Sequence, residues 1–100
     1  MKILLICAAG MSTSLLVTKM EKAAKERGLD VSISATARSE VEKHIAGTDV
    51  LLLGPQVSFS LEQMKKTYEP LGIRVTTIDT VDYGMMNGLK VLESALKQIN

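Results

Sequence analysis

The stretch that most constrains the fold runs from residue 3 to residue 17. An apolar run reaches the one cysteine of the chain, Cys7, and is followed by small and hydroxyl-bearing residues and then by an amphipathic helical pattern. A buried strand that leads through a tight loop into a helix directs several backbone N–H groups and the positive end of the helix dipole towards one point. We expect an anion site there, and a thiol at its edge favours the thiolate form. Cys7 is therefore interpreted as a nucleophile that carries or attacks a phosphoryl group.

Length and composition exclude several classes of function. A chain of 100 residues predicts a single domain over residues 1–100, long enough to bury a core. The formal net charge of +1 and the 3% aromatic content argue against nucleic acid as a partner. The apolar runs are too short for membrane insertion, and no signal peptide is expected. A single cysteine without a Cys/His cluster predicts no disulfide, no metal and no cofactor, which suits the cytoplasm.

Hydrophobic patterning predicts alternating strands and helices. Two strands are apolar throughout (residues 2–6 and 49–53), and two alternate with polar residues (31–36 and 73–78). The first helix is expected from residues 12–14 to about residue 27, with Gly28 as its stop. Two capping boxes, which begin at Ser39 and Ser60, predict the next two helices, which end near residues 47 and 70–72. A final helix is expected over residues 85–99, with its inward-facing residues Leu89, Leu92, Leu96 and Ile99.

This order predicts an α/β domain with a four-stranded parallel sheet and helices on both faces. Strands that are apolar on both sides belong in the centre, so the expected strand order is 2-1-3-4, the flavodoxin-like arrangement. In such sheets the ligand crevice lies at the carboxyl ends of the strands where the winding reverses. That point lies between strands 1 and 3, where Cys7 and the segment Gly54-Pro55-Gln56 end their strands.

The loop after Cys7 can bind phosphate through neutral donors. Gly10 permits a positive φ that turns successive N–H groups inward, and Ser12, Thr13 and Ser14 carry hydroxyl donors. The signature of protein tyrosine phosphatases places an arginine where this chain has Thr13. Because a guanidinium stabilises the transition state of hydrolysis, its absence from the loop predicts a carrier rather than a hydrolase. Each hydroxyl can equally serve as the helix cap.

The segment from Cys7 to Leu16, the segment from Leu51 to Gln56, and the late Asp79 and Tyr83-Gly84 resemble one family over the whole chain. This family is the IIB component of the lactose/cellobiose (lactose/chitobiose) branch of the bacterial phosphoenolpyruvate-dependent sugar phosphotransferase system. The resemblance implies that Cys7 accepts a phosphoryl group from a phosphohistidine on a IIA protein. Cys7 then passes it to a sugar, such as a β-disaccharide, bound by the membrane IIC permease. The family's phosphate-binding loop maps onto Ala8, Ala9, Gly10, Met11, Ser12, Thr13 and Ser14.

Other residues near the predicted crevice have two readings each. Gln56 can contact the loop or remain solvated, and Tyr83 can pack over the loop or simply be half-buried. Asp82 and Tyr83 fit a surface turn better than an acid-bearing loop. The apolar loop residues Met11, Val57 and Phe59 can dock a partner or pack locally.

Some questions of function and assembly stay open at the level of the sequence. The lone His44 reads as part of a solvated face. Alternative functions are a small cysteine-dependent phosphatase, an arsenate-type reductase, or an interaction module with a structural cysteine. A mobile carrier is expected to be a monomer, and the residues do not identify the sugar.

Overall fold

Four parallel strands form one sheet in the order that the hydrophobic pattern predicts. The structure is a computed structural model that describes residues 1–7 and 11–99, and residues 11–13 without their side chains. The strands are β1 (Lys2–Cys7), β2 (Ser32–Ala37), β3 (Val50–Leu53) and β4 (Arg74–Thr77). Their order across the sheet is β2-β1-β3-β4. This order confirms the predicted fold. Its physical reason is that the two strands that are apolar on both faces occupy the buried centre of the sheet.

Five helices accompany the sheet in the described part of the chain. They are α1 (Met11–Glu26), α2 (Val41–His44), α3 (Leu61–Tyr68), α4 (Thr80–Gly84) and α5 (Gly88–Lys97). Short 3₁₀ helices precede α2 (Arg38–Glu40), precede α3 (Pro55–Ser60) and follow α3 (Glu69–Leu71).

Alternate side chains of β1 enter two different cores. Ile3 and Leu5 pack with α1 and α5 on one face of the sheet, whereas Leu4 and Ile6 pack with residues of α3 on the other. This follows from the two-residue period of a strand. Each large side chain that is fully buried contributes about 1.5–3 kcal/mol, so β1 stabilises both layers at once.

The helix α1 follows its predicted pattern. Leu16, Met20 and Ala24 are buried against the sheet. Gly28 has φ +68, its N–H donates to the Lys25 carbonyl over 3.1 Å, and the next N–H donates to the Ala24 carbonyl over 2.9 Å. This is the Schellman motif, in which a left-handed residue closes the helix.

The predicted final helix over residues 85–99 is present as α5, which is shorter at both ends, and a separate short helix that was not predicted, α4, precedes it. Two helices, α4 and α5, meet at a turn in which Met86 has φ 52. Asp79 caps α4 by accepting from the Val81 and Asp82 N–H groups, and Asn87 caps α5 by accepting from the Lys90 N–H. Two separate capping side chains start two separate helices, because each satisfies N–H groups that a continuous helix would bond internally.

The predicted inward face of this last helix is partly wrong. Leu92 is buried and Leu96 packs at the edge of the core, but Leu89 is 41% exposed and Ile99 is 43% exposed. Val91 and Ala95 take their places in the core. The contact between α5 and α1 sets which side of α5 faces the core, and the spacing of apolar residues along α5 alone does not reveal this side.

Neither capping box forms its side-chain hydrogen bonds. Ser60 is the residue before α3, as predicted, but its side chain accepts no capping bond. The residue before α2 is Glu40, whose side chain also makes no capping bond, because Ser39 lies inside the preceding 3₁₀ helix. That 3₁₀ helix and the one before α3 continue directly into the next helix, so backbone carbonyls take the N–H groups that a cap would bind. The Leu61 N–H, for example, donates to the Ser58 carbonyl.

Candidate functional site

Cys7 lies where the sequence predicts, at the carboxyl end of the central strand β1. Its register neighbour on β2 is Ala37, and the preceding residue, Ile6, pairs with Leu53 of β3. The thiol is 2% exposed, and its Sγ lies 4.0 Å from the Thr36 carbonyl oxygen, to which it donates. The next described element is the start of α1 at Met11. Cys7 therefore lies between a sheet edge and a helix start.

The predicted phosphate-binding loop lies mainly outside the described residues. Ala8, Ala9 and Gly10 are not described, and Met11, Ser12 and Thr13 are described without their side chains. Ser14 is exposed on the first turn of α1, and its carbonyl accepts from the Thr18 hydroxyl over 3.1 Å. The phosphate contacts of this loop stay a prediction.

The two predicted neighbours of the site, Gln56 and Tyr83, both lie against Gly54. The Gly54 N–H donates to the Ile6 carbonyl over 2.8 Å. A Cβ at Gly54 would lie 3.2 Å from that carbonyl oxygen, 3.3 Å from Gln56 Oε1 and 3.7 Å from Tyr83 Cε1. The structure therefore brings both side chains to the residue that bonds to the backbone just before Cys7. Glycine suits this position because a Cβ would make a tight contact with the backbone at the end of β1.

The sequence reading of the Asp82-Tyr83 segment is corrected in two respects. Both residues lie in α4 rather than in a surface turn. Tyr83 is buried among the residues that pack α1 and α5 against the sheet, which is deeper than the half-buried position that we expected. The cap of α4 by Asp79 turns the chain inward here, and this turn carries the Tyr83 ring into the core.

His44 is remote from Cys7. It is the last residue of α2, and its carbonyl accepts from Lys2 Nζ over 2.6 Å at the start of β1. This contact lies at the amino edge of the sheet, whereas Cys7 lies at the carboxyl edge. The reading of His44 as an exposed surface residue is confirmed.

Sequence reasoning missed Arg38 beside the site. Arg38 follows Ala37, the register neighbour of Cys7, and its guanidinium carbon lies 5.2 Å from the centroid of the Phe59 ring. Phe59 is 75% exposed, whereas Val57, in the same segment, is buried in the core. A single arginine after a strand carries no local signal, and its position near Cys7 follows from the pairing of β2 with β1.

The described residues hold no evident metal centre and no spanning helix. Within residues 1–7 and 11–99, no group of three or more His, Cys, Asp or Glu side chains is arranged to hold a metal ion. No helix in that part of the chain has the length and apolar character needed to cross a membrane.

The doubly wound parallel sheet of this chain is also the fold of solved phosphotransferase system IIB components. Residues 2–94 match the family described as "PTS system, Lactose/Cellobiose specific IIB subunit". The chain therefore belongs to this family of sugar phosphotransferase system components. It is a phosphotransferase for sugars of the lactose/cellobiose type.

Relatives of similar length support this assignment. The chain is 50% identical to the galactose-specific EIIB component of Lactococcus lactis subsp. cremoris, over 98% of this chain and 95% of the relative. It is 48% identical to the cellobiose-specific EIIB component of Lactococcus lactis subsp. lactis, with the same coverage. It is 42% identical to the oligo-beta-mannoside-specific EIIB component of Bacillus subtilis, over 95% of this chain and 92% of the relative.

Solved structures show the same architecture. The cellobiose-specific phosphotransferase IIB component protein from Borrelia burgdorferi matches with a TM-score of 0.79 and 43% identity, over 98% of this chain and 90% of that chain. The lactose-specific IIB domain from Streptococcus pneumoniae matches with a TM-score of 0.89, over 100% of this chain and 98% of that chain. At 22% sequence identity, this match supports the fold alone.

Proposed function

We propose that residues 1–100 form one phosphocarrier domain in which Cys7 carries the phosphoryl group. The donor is a phosphohistidine on a IIA protein, and the acceptor is a sugar bound by the membrane IIC permease. The observation that supports this proposal is the position of Cys7, at the carboxyl end of β1 and next before α1, in a chain of the IIB family.

Two in-line displacements account for the transfer. In the first, the Cys7 thiolate attacks the phosphorus, the S–P bond forms and the P–N bond to the donor histidine breaks. In the second, a sugar hydroxyl oxygen attacks the same phosphorus, the S–P bond breaks and the thiolate leaves, while the hydroxyl proton passes to a base on the acceptor side.

The loop is proposed to hold the phosphoryl group with neutral donors. Backbone N–H groups of residues 8–14 and the hydroxyls of Ser12, Thr13 and Ser14 would share its charge. Gln56 and Tyr83 would support the loop from Gly54, where the structure brings them together. With Thr13 in place of a phosphatase arginine, the phosphocysteine is expected to persist until an acceptor arrives.

Relatives guide the proposed partners and sugar. The chain is 30% identical over 81% of its length to the lactose-specific EIICB component of Streptococcus mutans, of which it spans 14%. Fusion of a IIB-like segment to a IIC permease supports a IIC partner for this chain. Curated relatives are named for galactose, cellobiose and oligo-beta-mannoside, and we propose a β-linked disaccharide as the sugar. We further propose a cytoplasmic monomer.

Intact-protein mass spectrometry tests this function. The chain is incubated with phosphoenolpyruvate, enzyme I, HPr and a IIA protein of a cellobiose-type system, and any adduct is located by peptide mapping. We expect one phosphoryl group on Cys7, none without the IIA protein, and none on a Cys7→Ser variant that keeps the wild-type circular dichroism spectrum. An adduct on another residue, or one retained by Cys7→Ser, would overturn the proposal.

Single-hydroxyl variants test the loop separately. Ser12→Ala, Thr13→Val and Ser14→Ala are compared with Ser34→Ala, which removes an exposed hydroxyl from β2. If the loop binds phosphate, at least one loop variant slows phosphorylation by about tenfold, the effect of one good hydrogen bond to a charged group, and Ser34→Ala does not. Equal rates in all four variants would show that the loop hydroxyls have no such role.

A further inference from the structure

Arg38 and Phe59 form a bridge across the carboxyl edge of the sheet. Arg38 follows β2, and Phe59 lies in the segment that follows β3, whereas β1 with Cys7 runs between these two strands. The guanidinium stacks at 5.2 Å from the ring centroid, a cation–π distance. The two residues therefore meet beside the strand end that carries Cys7.

A small open groove lies at this bridge. Its volume is about 280 Å³, and its lining includes Arg38, Ser39, Gln56, Val57 and Phe59. Gln56 also lies against Gly54, which bonds to the backbone just before Cys7. The groove therefore lies beside the end of β1, and its exposed arginine and aromatic ring are residue types enriched at protein interfaces.

Among the residues that the structure describes, no ion pair neutralises the positive charge of Arg38. In the described part of the chain the ion pairs are Arg27 with Glu93 and Lys43 with Glu40. Glu42 lines the neighbouring cavity together with Arg38 but makes no ion pair with it. A guanidinium that rests on an aromatic ring keeps its N–H donors available at the ring's edge. Arg38 can therefore attract an incoming anion.

We propose that the Arg38–Phe59 bridge is a docking site for the phosphorylated donor protein, with Arg38 attracting its negatively charged phosphoryl face. This inference rests on the proposed carrier function. The positive charge of Arg38 favours the donor as the partner, because the donor brings a charged phosphoryl group, whereas the acceptor sugar is uncharged. Once Cys7 carries the phosphoryl group, the charge of Arg38 is offset locally, and this weakens the attraction for the spent donor.

The test compares matched charge removals. Arg38→Gln and Arg74→Gln each lower the formal net charge from +1 to 0, but Arg74 begins β4 at the amino edge of the sheet. Single-turnover transfer from a phosphorylated IIA protein of a cellobiose-type system is measured over a range of salt concentrations. Arg38→Lys, which keeps the charge and loses the planar fork, is measured alongside.

We expect Arg38→Gln to lower kcat/KM about three- to tenfold at low ionic strength, since one cation near the site steers a charged partner. The difference should fall below about twofold at 1 M salt, where the Debye length is about 3 Å. Arg74→Gln should match the wild type, and Arg38→Lys should keep most of the salt dependence.

Two results would overturn the proposal while leaving the carrier function intact. One is equal transfer rates for Arg38→Gln and Arg74→Gln with a wild type that is phosphorylated normally. The other is a loss confined to the step from phosphocysteine to the sugar-bound permease, which would assign the bridge to the acceptor. A wild type that accepts no phosphoryl group would instead refute the carrier function on which the proposal rests.

Discussion

Gly88 is the position at which one added methyl group should disturb the packing of α5 against α1. A Cβ at Gly88 would lie 2.6 Å from the Lys19 carbonyl carbon, 2.7 Å from Lys19 Cβ and 2.7 Å from the Met20 N. An ordinary contact between carbon atoms is about 3.5–4.0 Å, so the new atom would be roughly 1 Å too close. Backbone atoms of α1 cannot rotate away as a flexible side chain can. Gly88→Ala therefore forces the two helices apart.

The magnitude follows from two opposing terms. Overpacking of a tight contact costs about 1–3 kcal/mol. Gly88 does not have a positive φ, so alanine is compatible with its backbone and lowers the entropy of the unfolded chain, which returns about 0.4–1 kcal/mol. We expect a net loss of about 1–2 kcal/mol in the free energy of unfolding, and each 1 kcal/mol lowers Tm by about 4–8 °C in a domain of this size.

Urea unfolding followed by far-ultraviolet circular dichroism measures this loss. Gly84→Ala is the matched control, because a Cβ at Gly84 meets nothing within 4 Å and its φ is not positive either. The control should equal or exceed the wild type in stability. A Gly88→Ala variant as stable as the wild type, or an equal loss in Gly84→Ala, would refute the packing argument.

Four further predictions concern a buried hydroxyl, a helix cap, a phenol and the loop. Ser60→Ala should leave the free energy of unfolding unchanged or raise it, because the buried Ser60 hydroxyl has no partner in the described structure. Asp79→Ala should lower the free energy of unfolding by about 1 kcal/mol, measured by calorimetry, because the two N–H groups that Asp79 caps lose their acceptor. Burial, and secondarily the charge of Glu42, raises the pKa of Tyr68 above 10.0. Because the folded state favours the protonated phenol, stability should fall as the pH rises from 10 through this raised pKa. A Tyr68→Phe variant that shows the same decline in urea titrations would contradict this. Thr13→Arg should speed phosphocysteine hydrolysis in a phosphate-release assay, and an unchanged rate would show that the arginine position does not set the lifetime.

The central part of the fold was predictable because it depends on burial. Strand β3 is apolar throughout and β1 is apolar after Lys2, and only the middle of a sheet covered on both faces hides both sides of a strand. The order β2-β1-β3-β4 and the place of Cys7 at a buried strand end follow from that one requirement. The loop motif after Cys7 is local as well, so the resemblance to the IIB family was readable along the chain and is confirmed by the family match.

Features that depend on contacts between distant segments were not predictable in this way. Hydrophobic spacing shows that the last segment is amphipathic, but the face of α5 that turns to the core follows from the close approach of Gly88 to α1. The separate helix α4 before that segment, and the start of α5 within it, follow from the caps at Asp79 and Asn87. Ser60 has the sequence of a capping residue, but the preceding 3₁₀ helix leaves it no N–H to bind.

The chain by itself therefore determines the sheet order, the family and the cysteine at the strand end. These features depend on the burial and the chemistry of residues that are neighbours in the sequence. Tertiary structure alone decides that Arg38 meets Phe59 across the end of β1 and that Gln56 and Tyr83 meet at Gly54. These residues are brought together by the parallel sheet, which aligns the carboxyl ends of strands that are far apart in sequence.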